Sequence, residues 1–415
     1  MTRSRSRSAI FVSNRKGARA PRRRLFLVVA SLIAAGVPCF VQPAAAAPRM
    51  ISFGYPNCVS CHVAPQGRGL LSAYGRGIDI AQSWSQVDIT GVLLGKVHAD
   101  AASAPWDGTF GPVLADVTAT GRINRDLENA KTDPTASTLY RQIIFLGRAK
   151  QIRFNGEVGL RDSNLRDTQL SPNQIAVGGD RLFLKKLTLD WRIKENADGS
   201  GSELSIGRDY LPLGLQIDDY TTFILSLNRD GIYDFPLQAK YFAWNAKSLG
   251  AAFVFAPSFE EPSASREYGG GFMYERYPSP KLALGVQGLV GFADETDRAR
   301  LGIYARWGIS EKWALLAELD YTHLWNGRSS PGDGEQLTTF LQLHYCHTEW
   351  LVSSLSGNYA HSDVLAAGSN LFSARYTLSA RINRNLTIGA SYAVGDILRN
   401  LDYGQEAFVF AAVKF

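Results

Sequence analysis

The chain has little of what stabilises small exported folds or threads a membrane with helices. It holds four cysteines and three methionines in 415 residues, which is too sparse for a disulfide scaffold. After residue 46 no apolar run approaches the roughly 20 residues a spanning helix needs, so helical membrane spans are excluded. An excess of positive charge is also missing from most of the chain. The net charge is +6, but residues 1–46 carry nine Arg and Lys and no acid, and the rest holds 35 basic against 38 acidic residues. The basic balance therefore belongs to the leader, and nucleic acid is not expected as a partner.

That leader has the order of a secretory signal. Basic residues end at Arg24, the apolar stretch "LFLVVASLIAAGV" follows, and "PAAAAP" supplies small residues for cleavage. A signal peptide is expected over 1–46, with the cut near Ala46 or Ala47 because Pro48 is poorly placed directly after a cut. Cys39 leaves with it. The mature chain then keeps Cys58, Cys61 and Cys346.

Two of these three lie in "YPNCVSCHVAP" (55–65). Cys-x-x-Cys-His is the attachment pattern of c-type haem. Each thiol adds to one vinyl group, and two intervening residues let a single turn present both sulfurs to one porphyrin edge. The adjacent imidazole then meets the iron from one face. The expectation is one haem c, held by Cys58 and Cys61, with His62 as proximal axial ligand. A thioredoxin-like pair would need a βαβ setting that is lacking here. A zinc site would need more ligands, and in the expected mature chain no other Cys or His lies within thirty residues. His98, in "GKVHAD", is the candidate distal ligand, with an open or water-filled sixth position as its rival and Met50 as a third choice. Bis-His iron would lower the potential and Met ligation would raise it. The segment 47–106 is rich in glycine and short of apolar bulk, so it predicts a few helical turns around the haem and not an independent core.

From residue 107 onward the pattern changes to period-2 alternation in segments of about ten residues, the mark of transmembrane barrel strands. In "LFSARYTLSARI" (371–382), Phe372, Ala374, Tyr376, Leu378 and Ala380 share one face, and Ser373, Arg375, Thr377 and Arg381 the other. In "KWALLAELDYT" (312–322), Trp313, Leu315, Ala317, Leu319 and Tyr321 oppose Glu318, Asp320 and Thr322. Connections alternate between short ("NRN", "CHTE", "GISEK", "NAKS") and long ("WNGRSSPGDG", "PSFEEPSASRE"). Short turns at one end and long loops at the other are what such barrels show. The fold class is therefore all-β: an antiparallel transmembrane β-barrel of about 16 strands over 107–415, behind a small haem segment. An even count places both chain ends on the periplasmic side. Residues 210–235 are expected to be one long loop on the outer side; as a loop it resembles the inward-folded constriction loop of general porins, with Asp218, Asp219, Asp230 and Asp234 offering an acidic eyelet. The competing reading is an extra strand pair around "TTFILSL". Sixteen strands predict a water-filled lumen. His323 and His361 are expected at outer strand ends, and His344 and Cys346 on the lumen face with His347 opposing them. Arg375, Arg381, Glu318 and Asp320 are read as a pore charge ladder.

An exported leader, one CxxCH and a large barrel in a single chain resemble the fused monohaem cytochrome-porins of the bacterial outer membrane, whose best-known members oxidise ferrous iron. The resemblance rests on Cys58, Cys61, His62, Pro65 and "LLSAYGR" (70–76), and covers about forty residues. The phrase "GRDYLPLG" (207–214) is equally similar to phosphate- or carboxylate-selective porins. The aromatic-basic segment that precedes the haem in the iron oxidases is not evident in "RMISFGYPN". What the resemblance implies is one-electron transfer at the outer membrane. An extracellular electron donor or acceptor such as Fe(II) would meet haem in or near the lumen, and a periplasmic cytochrome or other redox carrier would complete the circuit. The barrel would sit in outer-membrane lipid, with the haem segment on the periplasmic side or inside it. Two other functions fit the same residues: a substrate-selective porin whose haem is a plug or sensor, and a barrel that sleeves a separate multihaem protein.

Overall fold

The computed structural model describes residues 48–62, 64–66, 74–75, 78, 81–85, 114–126, 138–149, 151–160, 175–176, 182–217, 222–228, 236–257, 266–293, 296–325, 334–363, 369–383, 386–397 and 402–414. The expected signal peptide (1–46), His98 and the four eyelet aspartates lie outside the described residues. So do Arg76 and most of "LLSAYGR".

The strands are β1 (Leu114–Asp126), β2 (Thr138–Ala149), β3 (Ile152–Leu160), β4 (Ile175–Ala176), β5 (Leu182–Glu195), β6 (Gly201–Arg208), β7 (Leu237–Asn245), β8 (Ser248–Ala256) and β9 (Glu267–Ser279). They continue as β10 (Leu282–Ala293), β11 (Asp297–Gly308), β12 (Trp313–Trp325), β13 (Gly334–Cys346), β14 (Leu351–Ser362), β15 (Ser369–Arg381), β16 (Leu386–Ile397) and β17 (Asp402–Lys414). Apart from the two-residue β4, which pairs only with β5, each pairs antiparallel with its neighbours. The ring closes where β1 meets β17, from Thr118↔Lys414 to Asp126↔Glu406. Sixteen long strands thus form a barrel with no free edge, as the alternation predicts. They run further toward the long loops than the apolar pattern marks. The connection between β10 and β11 spans only 294–296, because ladder hydrogen bonds continue where apolar side chains do not.

The alternation divides the wall into an outer and an inner face. On β12, Trp313, Leu319 and Tyr321 are exposed while Glu318 and Asp320 are buried. On β11, Leu301 (64% exposed) and Ile303 (59%) point out while Arg300 (1%) points in. Each such outward side chain would forfeit on the order of 1 kcal/mol or more if left in water, so the outer band suits lipid. Aromatic residues edge it at both ends. Trp191, Trp307 and Trp313 stand toward the short turns, and Tyr268, Phe292 and Trp325 toward the long loops.

The described parts of 210–235 are a loop folded into the barrel, and "TTFILSL" is not a strand pair. Leu211 and Leu213 pack on Phe253, Phe255 and Leu289, while Leu215 and Ile217 join a larger inner cluster. A short helix α2 (Phe223–Ser226) follows, and its Phe223 rests on Ala360 and Leu371. The chain therefore crosses the interior from β6 to β14 and β15. Glu318 accepts the Leu215 amide at 2.8 Å, and Asp320 accepts Asn228 Nδ2 at 2.8 Å. Gln287 Nε2 bridges the same two carboxylates at 2.8 and 2.7 Å. These two acids anchor the loop, a role different from the charge ladder expected of them.

The interior also departs from a uniformly wet lumen. Toward the short turns the inner faces of β7–β13 present Phe242, Trp244, Leu249, Met273, Tyr277, Tyr304, Leu316 and Phe340, all buried. This apolar sector is the seat for the amino-terminal segment.

Candidate cofactor site at the short-turn end

The described part of that segment begins with helix α1 (Pro48–Ser52). Its Ile51 enters the apolar sector, and Val59 packs at the sector's edge. Ser52 Oγ donates to the Trp313 carbonyl at 3.1 Å. A Cβ at Gly308 would lie 2.6 Å from the Ile51 carbonyl oxygen and 2.7 Å from Ser52 Cα. Only glycine at the end of β11 lets the helix come that close. Further along, the Trp84 and Ser85 amides donate to Arg381 and Ile382 carbonyls at 3.0 and 2.8 Å, and Trp84 packs on Trp350 with centroids 5.9 Å apart. The segment is thus fastened across several short turns.

The CxxCH motif forms one helical turn. The Cys58 carbonyl accepts from the Cys61 amide at 3.2 Å and the His62 amide at 2.9 Å. Asn57 caps the turn, its Oδ1 accepting the Ser60 amide at 3.1 Å and the Ser60 hydroxyl at 2.6 Å. Both thiols are unbridged. Burial, and then the neighbouring Cys58, push the Cys61 thiol up. Among the described residues no group of three or more His, Cys, Asp or Glu is placed to hold a bare metal ion.

Gly75 backs the turn from the other side. A Cβ there would sit 2.2 Å from the Cys61 carbonyl oxygen, so the glycine of "AYGR" is required by close approach. Tyr74 hydroxyl meets Tyr55 hydroxyl. Met50 Sδ accepts from Gln82 Nε2 at 3.7 Å. Deeper in, Gln66 Nε2 donates to Asp209 Oδ2 at 3.1 Å, and Asp209 also pairs with Lys186 at 3.0 Å and with Lys240. Asp209 lies eight residues from the short-turn end of β6, roughly 26 Å along a strand at about 3.3 Å per residue. The segment therefore reaches well up the lumen.

The wall touches the motif directly. Arg306 of β11 donates through Nη1 to Cys58 Sγ at 3.3 Å, and the same guanidinium pairs with Glu275 of β9. Sequence reasoning does not find this contact, because the two residues are 248 positions apart.

The remaining histidines fall as the strand register implies. His344 and Cys346 are buried on the inner face, whereas His347 hydrogen-bonds Ser353 Oγ at 3.0 Å and meets Tyr345 edge-on. His323 stacks on Trp325, and His361 contacts Asn370 and Asp363, all toward the long loops.

No protein-family model matches the sequence, and no curated protein matches it. Solved structures match the fold. The trimer form of OmpT, an outer membrane protein of Vibrio cholerae, aligns with TM-score 0.53 at 11% identity over 73% of this chain and 99% of that one. Salmonella typhi OmpF, in complex with daunomycin, gives 0.52 at 12% identity over 75% and 99%. The outer membrane channel DcaP of Acinetobacter baumannii gives 0.51 at 10% over 75% and 99%. At these identities the likeness defines the class of fold, a porin-like outer-membrane-type β-barrel, and nothing finer.

Proposed function

We propose that this chain is an outer-membrane electron-transfer protein in which one c-type haem is attached at Cys58 and Cys61, with His62 as axial ligand, in the short-turn part of a porin-like barrel. The donor set supports this reading: two unbridged thiols and an imidazole on one capped turn, fixed against the inner wall by α1, Gly308 and Arg306. The observation that carries it is that the motif is seated inside the barrel and not tethered outside it. Haem, when bound, supplies a one-electron iron couple. The chain's own residues do the rest. Cys58 and Cys61 fix the group, His62 ligates its iron, His98 is the proposed sixth ligand, and the barrel wall insulates the site from lipid.

The short-turn end is read as periplasmic, because the chain enters β1 and leaves β17 there. A soluble periplasmic cytochrome or similar carrier would dock at that end. Arg306 lies two residues from the end of β11, roughly 7 Å along the strand, against an apolar band of about 25 Å. One centre at that depth does not span the wall, so the extracellular partner in this reading is a small diffusible one-electron donor or acceptor, Fe(II) among them. The plug reading, a selective porin with a haem-bearing stopper, draws support from the Gln66–Asp209 contact deep in the lumen.

Proteoliposomes separate the two. With the long loops outward and an impermeant vesicle interior, Fe(II) added outside is expected to reduce the haem within seconds. Haem that responds only to reductant on the short-turn side, in a vesicle that leaks small solutes, would favour the plug. A His98→Ala variant is expected to lose the low-spin bis-His spectrum, and an unchanged spectrum removes His98 as ligand.

A further inference from the structure

The barrel wall, and not only the CxxCH segment, contributes to the cofactor site. Arg306 is nearly buried, with its side chain 15% exposed, and it is the wall group whose guanidinium reaches Cys58 Sγ, at 3.3 Å. Its counter-charge is Glu275, 3% exposed, two strands away across β10. The surroundings are apolar: Tyr277, Tyr304, Met273 and Ala283 belong to the same cluster. In such a low-dielectric setting a charge acts over several ångströms with little screening. The cation meets the sulfur through Nη1 and Glu275 through Nη2, so the field at the sulfur is that of a contacting cation partly compensated by its carboxylate partner.

We propose that the Arg306–Glu275 pair sets the reduction potential of a cofactor attached at Cys58, with Arg306 raising it and Glu275 lowering it. The inference rests on the haem reading above. Adding an electron makes the iron site more negative, and a nearby fixed positive charge favours that state. Arg306 is then a positioning and tuning residue that ligates nothing. The sequence offers no hint of it, since arginine on the inner face of a barrel strand is ordinary pore lining.

The test uses the full-length protein matured with c-type haem, in detergent, with midpoint potentials read by spectroelectrochemistry for wild type, Arg306→Gln, Arg306→Lys, Glu275→Gln and the double Arg306→Gln/Glu275→Gln. The expected order runs Glu275→Gln highest, then wild type, then the double variant, with Arg306→Gln lowest. Arg306→Lys should lie near wild type, because it keeps the charge. The gel shift between folded and heated barrel verifies folding. If Arg306→Gln fails to fold, Glu275→Gln and the double variant still fix the sign. Equal potentials across all folded, haem-bearing variants overturn the inference and leave the haem reading intact. A wild-type chain that folds without covalent haem overturns the reading on which the inference rests.

Discussion

Toward the short turns the inner wall of β7–β13 is mostly apolar, broken by Glu275, Arg306 and His344, whereas toward the long loops the same strands carry Glu267, Arg298, Glu318, Asp320 and Gln336 beside Phe253, Phe255 and Leu289. Both surfaces are covered by chain, but by different means. The apolar half holds α1 through Ile51 and close backbone approach at Gly308. The polar half holds the in-folded loop through directional hydrogen bonds, Leu215 to Glu318, Asn228 to Asp320 and Thr338, and Gln336 to Asn228 at 2.9 Å, beside the apolar packing of Leu211 and Leu213. The hydrophobic effect is non-directional and suits a docked segment. Buried hydrogen bonds are directional, and costly to leave unmade, so they fix the path of a loop across a channel. The difference teaches that one end of this barrel is built as a receptacle and the other as a constriction.

Five substitutions probe that contrast, and the largest effect is expected in the receptacle. Phe340→Ala removes a fully buried ring from the inner cluster and should cost about 3–5 kcal/mol, measured by urea unfolding in lipid. Phe372→Ala, on the outer face, should change little, and equal losses would erase the distinction between inner core and lipid face. Next, Ile303→Arg places a charge on the lipid band and should cost about 2–4 kcal/mol at mid-membrane depth. No cost in the bilayer would argue that this face is not in lipid. Third, Glu318→Ala strands the Leu215 amide and one arm of Gln287, for about 1–3 kcal/mol. The readout is larger single-channel conductance with α1 still protected from protease, and unchanged conductance would deny the constriction. Smallest is Asn57→Ala, which uncaps the CxxCH turn at about 1 kcal/mol. It should speed proteolysis of 48–62 without moving the unfolding of the barrel.

Most of the wall was legible from sequence, because a barrel strand exposes one face to lipid and one to the interior and so writes its period into the chain. All sixteen long strands, their closure and the alternating turn lengths follow from that. The apolar receptacle was less legible. In "KWALLA" (312–317) both faces are apolar, so alternation fades where the strand is covered on both sides, and that loss of period was the available signal. β7 shows it too, in "KYFAW" (240–244). The motif Cys58, Cys61, His62 stands out in the sequence because the chemistry proposed for it fixes its spacing. The contacts that seat it were not, since Arg306, Gly308, Trp313 and Asp209 are brought to it only by closure of the ring.

Covalent haem content tests the central claim most directly. The mature chain, purified from outer membranes of cells with c-type haem maturation, should give one pyridine-haemochrome equivalent per folded barrel, and Cys58→Ala/Cys61→Ala should give none while the barrel still folds. A correctly folded wild-type barrel with no covalent haem, or a double variant that retains it, would contradict the account.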